Sequence, residues 1–411
     1  MKKLISFLLC TMMAFSAVSG IAFRDTSFDT AITAEAAETA LEKSMLPYYY
    51  SLMSDTEKSW YLQMRTAVIN KESSVKLKGS VTSETIQKLA NTMFYYDVLT
   101  FNLNSITGGT ISANGAKINF AYKFNKESYD KMIKKMNTVA NNIIAKFDDD
   151  TSTYAKIKYI HDYLIKKTEY TETEQTAHYA YGPMVRGKGV CEGYAQAFAF
   201  ICRKAGIQTV NVIGTSRGES HMWNKVYYNK KWYNVDVTWD DPVSNIVENI
   251  SYNYFMVSDE VINKDHTPDE CEYKIPSATD DSKSYYKMYK LTASTNSEAK
   301  ALLINQTAKA ATKGKSVVTI QLENQSAFNS FESYINKNNC EALFDVLKSA
   351  AKKTDAELIT NTCNFSSDSS SLTFTIMVYR KGTSLSDYFS DTSSVDSGTK
   401  KTLKGYGITI D

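Results

Sequence analysis

One cysteine, Cys191, stands where a helix is expected to begin. The loop-forming pair Lys188 and Gly189 precedes it. Residues with helical spacing follow it at Ala195, Phe198, Ile201 and Ala205, and Gly206 can end the helix. Unpaired N–H groups and the macrodipole at a helix N-terminus stabilise a thiolate. Because thiol pKa values fall from about 8.5 to roughly 3.5–7.5 in such settings, the pattern predicts a nucleophilic cysteine.

A hairpin is expected to bring a histidine and an aspartate together. Asn229 and Lys230 separate two stretches of strand-like alternation and are typical of a two-residue turn. In this register Asp236 lies opposite Trp223, two residues along the strand from His221. His221 and Asp236 then share one face and are diagonal neighbours, although a three-residue loop would change this parity. The two predicted strands are His221–Tyr228 and Lys231–Trp239.

Together these side chains could form a nucleophile, a base and an orienting group. Cys191 would be the thiolate, His221 would pair with it and later protonate the leaving group, and Asp236 would orient the imidazole. Asp240 and Asp241 are alternative orienting groups. The simpler interpretation is that the three residues share no role: a buried cysteine, a histidine on a strand and a solvated aspartate. The helix start and the shared face are independent features, so we favour the triad.

Composition excludes several classes of protein. Lys plus Arg number 47 and Asp plus Glu 45, a formal charge of +2, which argues against a nucleic-acid-binding protein. The 411 residues predict two to four domains. The sequence has no C-x-x-C motif and its four histidines are scattered, so we expect no metal site and no cofactor.

The N-terminus has the pattern of a secretory signal peptide. Lys2 and Lys3 precede an apolar run over residues 4–18 that is too short to span a bilayer. Cleavage could follow Gly20 or Ala36, so residues 1–36 are interpreted as a signal peptide with a possible short pro-segment. We therefore expect a secreted or cell-surface protein that meets a membrane only during export.

Five cysteines remain after the signal peptide, an odd number that leaves at least one thiol free or paired between chains. Cys202 lies eleven residues after Cys191 on the same predicted helix and is expected in the core. Cys340 and Cys363 could pair with each other, but spacing does not determine pairing.

Three domains are expected after the signal segment. They are an N-terminal α+β accessory domain (37–148), a catalytic core (149–278) and a C-terminal α+β accessory domain (283–411). The capping box Thr295-x-x-Glu298 predicts the start of one helix. Other predicted helices cover 86–93, 128–147, 153–167, 328–335 and 343–351, and predicted strands cover 117–123, 317–322, 372–379 and 405–410.

Three blocks of the sequence resemble the transglutaminase-like superfamily. They are Gly189–Ala195, Ser220–Val226 and Trp232–Pro242, and the resemblance extends over about residues 150–275. It is strongest to exported bacterial proteins with a transglutaminase core. The resemblance implies an α+β, papain-like fold, in which a helix bearing the cysteine packs on an antiparallel sheet bearing the histidine and aspartate.

The resemblance also implies a chemistry, acyl transfer through a cysteine thioester. Its triad maps onto Cys191, His221 and Asp236. Attack on the thioester by an amine cross-links proteins, whereas attack by water hydrolyses an amide. Animal relatives need calcium, but no matching site is found here.

Further site residues are proposed around the triad. The Cys191 backbone N–H is expected in the oxyanion hole, and candidates for its second donor are Gln175, Tyr181 and His178. Trp223, Tyr181 and Gln175 are candidate substrate-binding residues.

These patterns predict an exported thiol enzyme that acts on protein or peptide amides. Cell-wall or surface proteins are possible substrates. Hydrolysis is favoured over transfer because water is abundant outside the cell and the sequence shows no lysine-binding feature. The alternative is a non-catalytic cell-surface or cell-wall binding module that keeps the fold.

Overall fold

The computed structural model describes residues 23–24, 45–242, 246–247, 249–271 and 273–410. These residues form two compact units. The first unit comprises the chain up to Thr238 together with Val257–Asp280. The second unit comprises Trp239–Met256 and the chain from Asp281 onwards. Except for residues 23–24, the expected signal segment 1–36 lies outside the described residues. Among the helices of this described part, none is long and apolar enough to cross a membrane.

The helices begin at polar capping side chains in most cases. Thr295 and Glu298 form the predicted capping box at the start of one of them. The helices are α1 (Asp55–Asn70), α2 (Ser83–Tyr96), α3 (Lys126–Ile144), α4 (Thr153–Lys167), α5 (Cys191–Lys204), α6 (Asp259–Ile262), α7 (Tyr285–Met288), α8 (Asn296–Thr312), α9 (Gln325–Asn336), α10 (Glu341–Ala351) and α11 (Ser397–Gly405). A π-helical turn covers Gly182–Arg186, and 3₁₀ turns cover Tyr48–Leu52, Lys337–Cys340, Leu385–Asp387 and Thr392–Ser394.

The strands form mostly antiparallel sheets, so the fold is α+β. The strands are β1 (Phe23–Arg24), β2 (Ser74–Lys78), β3 (Leu103–Ser112), β4 (Gly115–Tyr122), β5 (Glu169–Tyr170), β6 (Lys188–Gly189), β7 (Thr209–Ser216), β8 (Glu219–Tyr228), β9 (Lys231–Val235), β10 (Phe255–Val257), β11 (His266–Pro268), β12 (Thr292–Ala293), β13 (Val317–Leu322), β14 (Asn364–Asp368) and β15 (Thr373–Met377).

The first unit contains two of these sheets and the short parallel pair β5-β6. One sheet has the order β1-β3-β4-β2, and in the other β9, β8, β7 and β11 are consecutive neighbours. A single hydrophobic cluster joins side chains of α1, α2 and β4 to Val210 on β7 and to Tyr273. The predicted N-terminal domain (37–148) and most of the predicted core (149–278) therefore lie in one compact unit, and their separation into domains stays a prediction.

The second unit packs α8, α9 and α10 with the sheet β12-β13-β15-β14. The predicted strand over 405–410 is wrong. Asp396 accepts a hydrogen bond from the N–H of Thr399 and so caps α11, which buries Leu403 and ends at Gly405. Thr409 makes only an isolated bridge with Ser384. Cys340 and Cys363 are both free thiols in this structure.

A buried ion pair joins α1 to the residue after α2, and a separate hydrogen bond joins α2 to the helix that carries Cys191. Arg65 Nε lies 2.6 Å from Asp97 Oδ2, and the Tyr61 hydroxyl donates to the same oxygen at 2.6 Å. On α5, the Arg203 side chain is also buried and donates to the carbonyl of Tyr96 at 3.0 Å. The position of α5 therefore depends on polar groups contributed by residues before position 100.

Asp97→Asn should lower the free energy of unfolding by about 3–5 kcal/mol, because it leaves the buried Arg65 guanidinium without a charged partner. Asp130→Asn, which removes the exposed Lys126–Asp130 pair, is the matched control and should cost less than about 1 kcal/mol. Urea unfolding followed by tryptophan fluorescence measures both. Equal, small losses would contradict this account of the buried pair.

Candidate active site

Cys191 is the first residue of α5, as predicted, and its free thiol is 6% exposed. The chain enters the helix through Val190, whose N–H donates to the carbonyl of Ala177 at 3.1 Å. That carbonyl lies so close to the helix that a Cβ atom on Gly193 would approach it to 2.0 Å. Only glycine therefore fits here, and the turn around Ala177 fixes the start of the helix.

His221 is placed by the hairpin whose register was predicted. Tyr228 pairs with Lys231, and the two turn residues Asn229 and Lys230 have φ angles of 49° and 63°. Two successive positive φ angles define a type I′ turn, which matches the twist of the flanking strands. The predicted two-residue turn and register are confirmed, and His221 lies on β8 opposite Gly214 of β7.

Asp236 reaches His221 by a different path from the one predicted. The β8–β9 ladder ends with the pair Asn224 and Val235, so the predicted strand to residue 239 is too long and Asp236 follows the strand. The chain turns at this point because Asp236 Oδ1 accepts a hydrogen bond from the N–H of Thr238 at 2.9 Å. Its other oxygen, Oδ2, lies 2.6 Å from His221 Nε2.

The three side chains lie in series. Asp236 Oδ2 lies 2.6 Å from His221 Nε2, and His221 interacts with Cys191, so Nδ1 is the ring nitrogen available to the sulfur. Burial lowers the pKa of His221, but the negative charge of Asp236 and the bonds to Asp236 and Cys191 outweigh it and raise this pKa to about 10. The imidazolium form is therefore favoured at neutral pH beside the thiol.

The Asp236 carboxylate is buried, with 0% exposure, yet it is ionised. Burial raises its pKa, but the positive charge of His221 and hydrogen bonds from two histidines outweigh burial and hold it well below its usual range. The second histidine is His266, whose Nε2 lies 3.0 Å from Asp236 Oδ2. Reasoning from sequence missed His266, because it lies on β11 and meets the site only through the pairing of β11 with β7.

Tyr170 is a second residue that the sequence analysis missed. Its hydroxyl interacts with the backbone N–H of Cys191, which lowers the pKa of Tyr170 by less than burial raises it. Burial and the nearby Cys191 raise its pKa, so the hydroxyl stays protonated. Tyr170 is brought there by the parallel pairing of β5 with β6, in which it lies opposite Gly189. No local pattern indicates this pairing.

The other predicted site residues occupy varied positions. Trp223 is 1% exposed, donates to Asn234 Oδ1 at 3.2 Å and stacks on His221 with ring centroids 6.2 Å apart. Trp223 therefore packs against the histidine ring. Its contact with substrate stays a prediction, and its burial is unfavourable to that prediction. Tyr181 is buried where the π-helical turn begins, and Gln175 is exposed on the preceding turn. Their roles stay predictions.

His221, Asp236 and His266 are also the group of side chains that could approach a metal ion, since their donor atoms lie within 4.8 Å of one another. The 2.6 Å separation between His221 Nε2 and Asp236 Oδ2 is that of a short, charge-assisted hydrogen bond. A proton between these atoms accounts for the geometry, and we do not identify the three residues as metal ligands.

Comparison with known sequences finds relatives of the region that contains this site. Residues 137–237 match the family model described as the transglutaminase-like superfamily. These residues therefore carry a transglutaminase-like domain, as the resemblance implied, and the matched range contains Cys191, His221 and Asp236. Kyphoscoliosis peptidase from Homo sapiens is 33% identical over 105 residues, 21% of this chain. The match spans only 15% of the length of that protein.

Solved structures that are similar to part of the chain share less of its sequence. A putative cysteine protease from Cytophaga hutchinsonii is 14% identical, with a TM-score of 0.24, over 34% of this chain and 54% of its own. The periplasmic domain of TgpA from Pseudomonas aeruginosa is 14% identical, with a TM-score of 0.22, over 31% of this chain and 54% of its own.

Cys191 should react with iodoacetamide at about pH 6, where an ordinary thiol of pKa about 8.5 is almost fully protonated. His221→Ala should slow this alkylation by about 10- to 100-fold, because the thiolate loses its imidazolium partner. Mass spectrometry of the alkylated peptides separates Cys191 from the other thiols. His178→Ala is the control and should leave the rate within about twofold. A slow wild-type rate that His221→Ala does not change would mean an inert thiol.

The contribution of His221 to the free energy of unfolding should decrease as the pH rises. Because the folded pKa of about 10 exceeds the ordinary value of about 6.5, this contribution is complete below pH 6.5 and is lost as the pH rises through 10. The difference in free energy of unfolding between wild type and His221→Gln should therefore shrink from pH 6.5 to 10. Urea unfolding at several pH values measures it. A constant difference would contradict the raised pKa.

Proposed function

We propose that the protein is an exported, cysteine-dependent acyl-transfer enzyme that acts on peptide or protein amides, with hydrolysis as its main outcome. The observation that carries the proposal is the thiol of Cys191 at a helix N-terminus beside His221, whose Nε2 lies 2.6 Å from the buried Asp236. A nucleophile, a base and an orienting carboxylate in this order are the parts needed for thioester chemistry.

The first half of the reaction would form the thioester. The Cys191 thiolate attacks the amide carbonyl carbon, and the carbonyl oxygen becomes an oxyanion. His221 then donates a proton to the departing amine as the carbon–nitrogen bond breaks. Asp236 stabilises the imidazolium until this proton leaves and holds the ring through Nε2.

The second half decides between hydrolysis and transfer. In hydrolysis, neutral His221 takes a proton from water, the hydroxyl attacks the thioester carbon, and a carboxylic acid and the thiolate are released. An amine in place of water would give a cross-link. Exposure to bulk water favours hydrolysis, and the names of the relatives, a peptidase and a putative cysteine protease, are in keeping with it.

Tyr170 is the best-placed candidate for the second oxyanion donor. Its hydroxyl is already beside the Cys191 N–H, which is the expected first donor, and it remains protonated at neutral pH. When a substrate oxygen binds to that N–H, the hydroxyl can turn to donate to the same oxygen. This assignment replaces the open choice between Gln175, Tyr181 and His178.

Export is proposed from the N-terminal sequence. Lys2 and Lys3 followed by the apolar run at 4–18 have the pattern of a secretory signal peptide. N-terminal sequencing of the mature protein from the culture medium or cell surface tests this proposal. A mature N-terminus at residue 21 or 37 would support it, and an intact protein retained inside the cell would contradict it.

Dimethylated casein with and without dansylcadaverine is a suitable first substrate. We expect the wild type to release new carboxyl groups, detected by mass spectrometry as cleaved peptides or deamidated glutamines, in excess of amine incorporation. Cys191→Ala should abolish both products, since it removes the nucleophile. Product formation by Cys191→Ala would overturn the proposal. Slow alkylation of Cys191 together with binding to insoluble cell-wall polymer would favour the binding-module alternative.

Tyr170→Phe should lower kcat on that substrate by about 10- to 100-fold and leave KM within about threefold, because a donor to the oxyanion acts mainly in the transition state. The alkylation rate of Cys191 should change little, since alkylation forms no oxyanion. Tyr163→Phe, on the neighbouring helix α4, is the control. An unchanged kcat in Tyr170→Phe would remove this residue from the oxyanion hole.

A further inference from the structure

We propose that His266 is a positioning residue, held as an imidazolium cation between two carboxylates, that fixes Asp236 behind His221. The inference rests on the proposed function, because it assigns a role in the same site. It adds a fourth side chain, and through Asp265 a fifth, to the series that begins at Cys191.

The geometry around His266 requires both ring nitrogens to carry protons. Nε2 lies 3.0 Å from Asp236 Oδ2, and Nδ1 lies 2.7 Å from Asp265 Oδ1. A neutral imidazole has one N–H and one lone pair, so one of its nitrogens would direct a lone pair at a carboxylate oxygen. Only the imidazolium form donates in both directions.

Both carboxylates also have cationic or N–H partners other than His266. Asp236 accepts the Thr238 N–H and lies against His221 Nε2, in addition to His266. Asp265 lies 3.1 Å from the guanidinium of Arg217, which is partly exposed. The proton therefore belongs on the imidazole, and burial, which by itself lowers the pKa of His266, is outweighed by its bonds to the two aspartates.

The structure builds this arrangement through a close approach of two strands. β11 pairs with β7 so that His266 lies opposite Ser216 and Pro268 opposite Gly214. A Cβ atom on Gly214 would come within 2.1 Å of the Thr267 carbonyl oxygen, so glycine is needed for this approach. The His266 ring is 1% exposed and packs edge-on against Trp223 and His221, with ring centroids 5.1 and 5.4 Å away.

The cation has two consequences for catalysis. It holds the Asp236 carboxylate in one orientation through a second charge-assisted hydrogen bond. It also opposes the attraction between Asp236 and the His221 proton, since the positive charges of the two imidazoles repel each other. His221 can then lose its proton to act as the base in thioester hydrolysis, whereas Asp236 alone would hold the imidazolium too tightly.

The protonation of His266 can be read directly by nitrogen NMR of the full-length protein labelled with ¹⁵N-histidine. The chain has four histidines, and the loss of one signal set in His266→Gln assigns the residue. At pH 7.5 we expect both ring nitrogens of His266 to show shifts of protonated imidazole nitrogen. One protonated and one bare nitrogen would overturn the proposal.

Asp265→Asn tests the positioning role while leaving His266 in place. It removes one of the two carboxylates that require the imidazolium, so the His266 signals should show a neutral ring at pH 7.5. We expect kcat on casein to fall about fivefold to tenfold at an unchanged KM. The alkylation rate of Cys191 at pH 6 should also fall, because Asp236 is held less firmly behind His221.

Asp162→Asn is the matched control. Asp162 lies on α4, and its Oδ1 is 3.0 Å from Nδ1 of the buried His161, so the same change is made beside another histidine. This variant should leave kcat, the alkylation rate of Cys191 and the His266 signals as in the wild type. Equal effects of the two variants, or no effect of Asp265→Asn on signals and rates, would overturn the positioning role.

A graded pair of variants separates positioning from folding. His266→Gln keeps an amide donor for Asp236, whereas His266→Ala keeps none, so the alkylation rate of Cys191 at pH 6 should fall less in the first. Equal rates in the two folded variants would contradict the proposal. The NMR and alkylation readouts need no substrate. A wild type that is alkylated rapidly but has no casein activity would thus contradict the proposed substrate class and still leave His266 tested.

Discussion

The site depends on one interaction, the burial of the Asp236 carboxylate between two imidazoles. A buried carboxylate is costly unless donors surround it, because it loses its hydration. Here the Thr238 N–H satisfies one oxygen, and His221 and His266 satisfy the other. Removing any of these donors leaves the buried charge less fully compensated. The carboxylate therefore constrains the positions of the strands that carry the two histidines.

Three separate chain segments must meet for this interaction to form. The type I′ hairpin gives β8 the register that directs His221 towards the site, the turn after β9 presents Asp236, and β11 supplies His266. Helix α5 places Cys191 beside the other ring nitrogen of His221. The polar side chains thus extend from the exposed Arg217 through Asp265, His266, Asp236 and His221 to the thiol.

Local patterns were enough to predict the parts of the site that depend on local structure. The start of α5 at Cys191 and the two-residue turn at Asn229 and Lys230 are set by residues adjacent in sequence. The end of β9 was misplaced, because the alternation continues past Val235 while the backbone turns to bond Thr238. The predicted strand near the C-terminus was also wrong, because α11 continues to Gly405 and Thr409 makes an isolated bridge with Ser384.

Residues that depend on pairing between distant strands could not be predicted. Tyr170 reaches Cys191 only because β5 lies beside β6, and His266 reaches Asp236 only because β11 lies beside β7. The sequence contains four histidines, so a search of each for a role would have included His266. No spacing rule, however, would have joined it to an aspartate 30 residues away.

The functional unit is larger than the stretch that matches the superfamily. Residues 137–237 contain Cys191, His221 and Asp236 but not His266. They also exclude the carbonyls of Tyr95 and Tyr96, which accept hydrogen bonds from side chains on α5 and β7. Buried donors that lose such partners are destabilising by about 1–3 kcal/mol each. The position of the nucleophile therefore also depends on residues before position 137, through the carbonyls of Tyr95 and Tyr96.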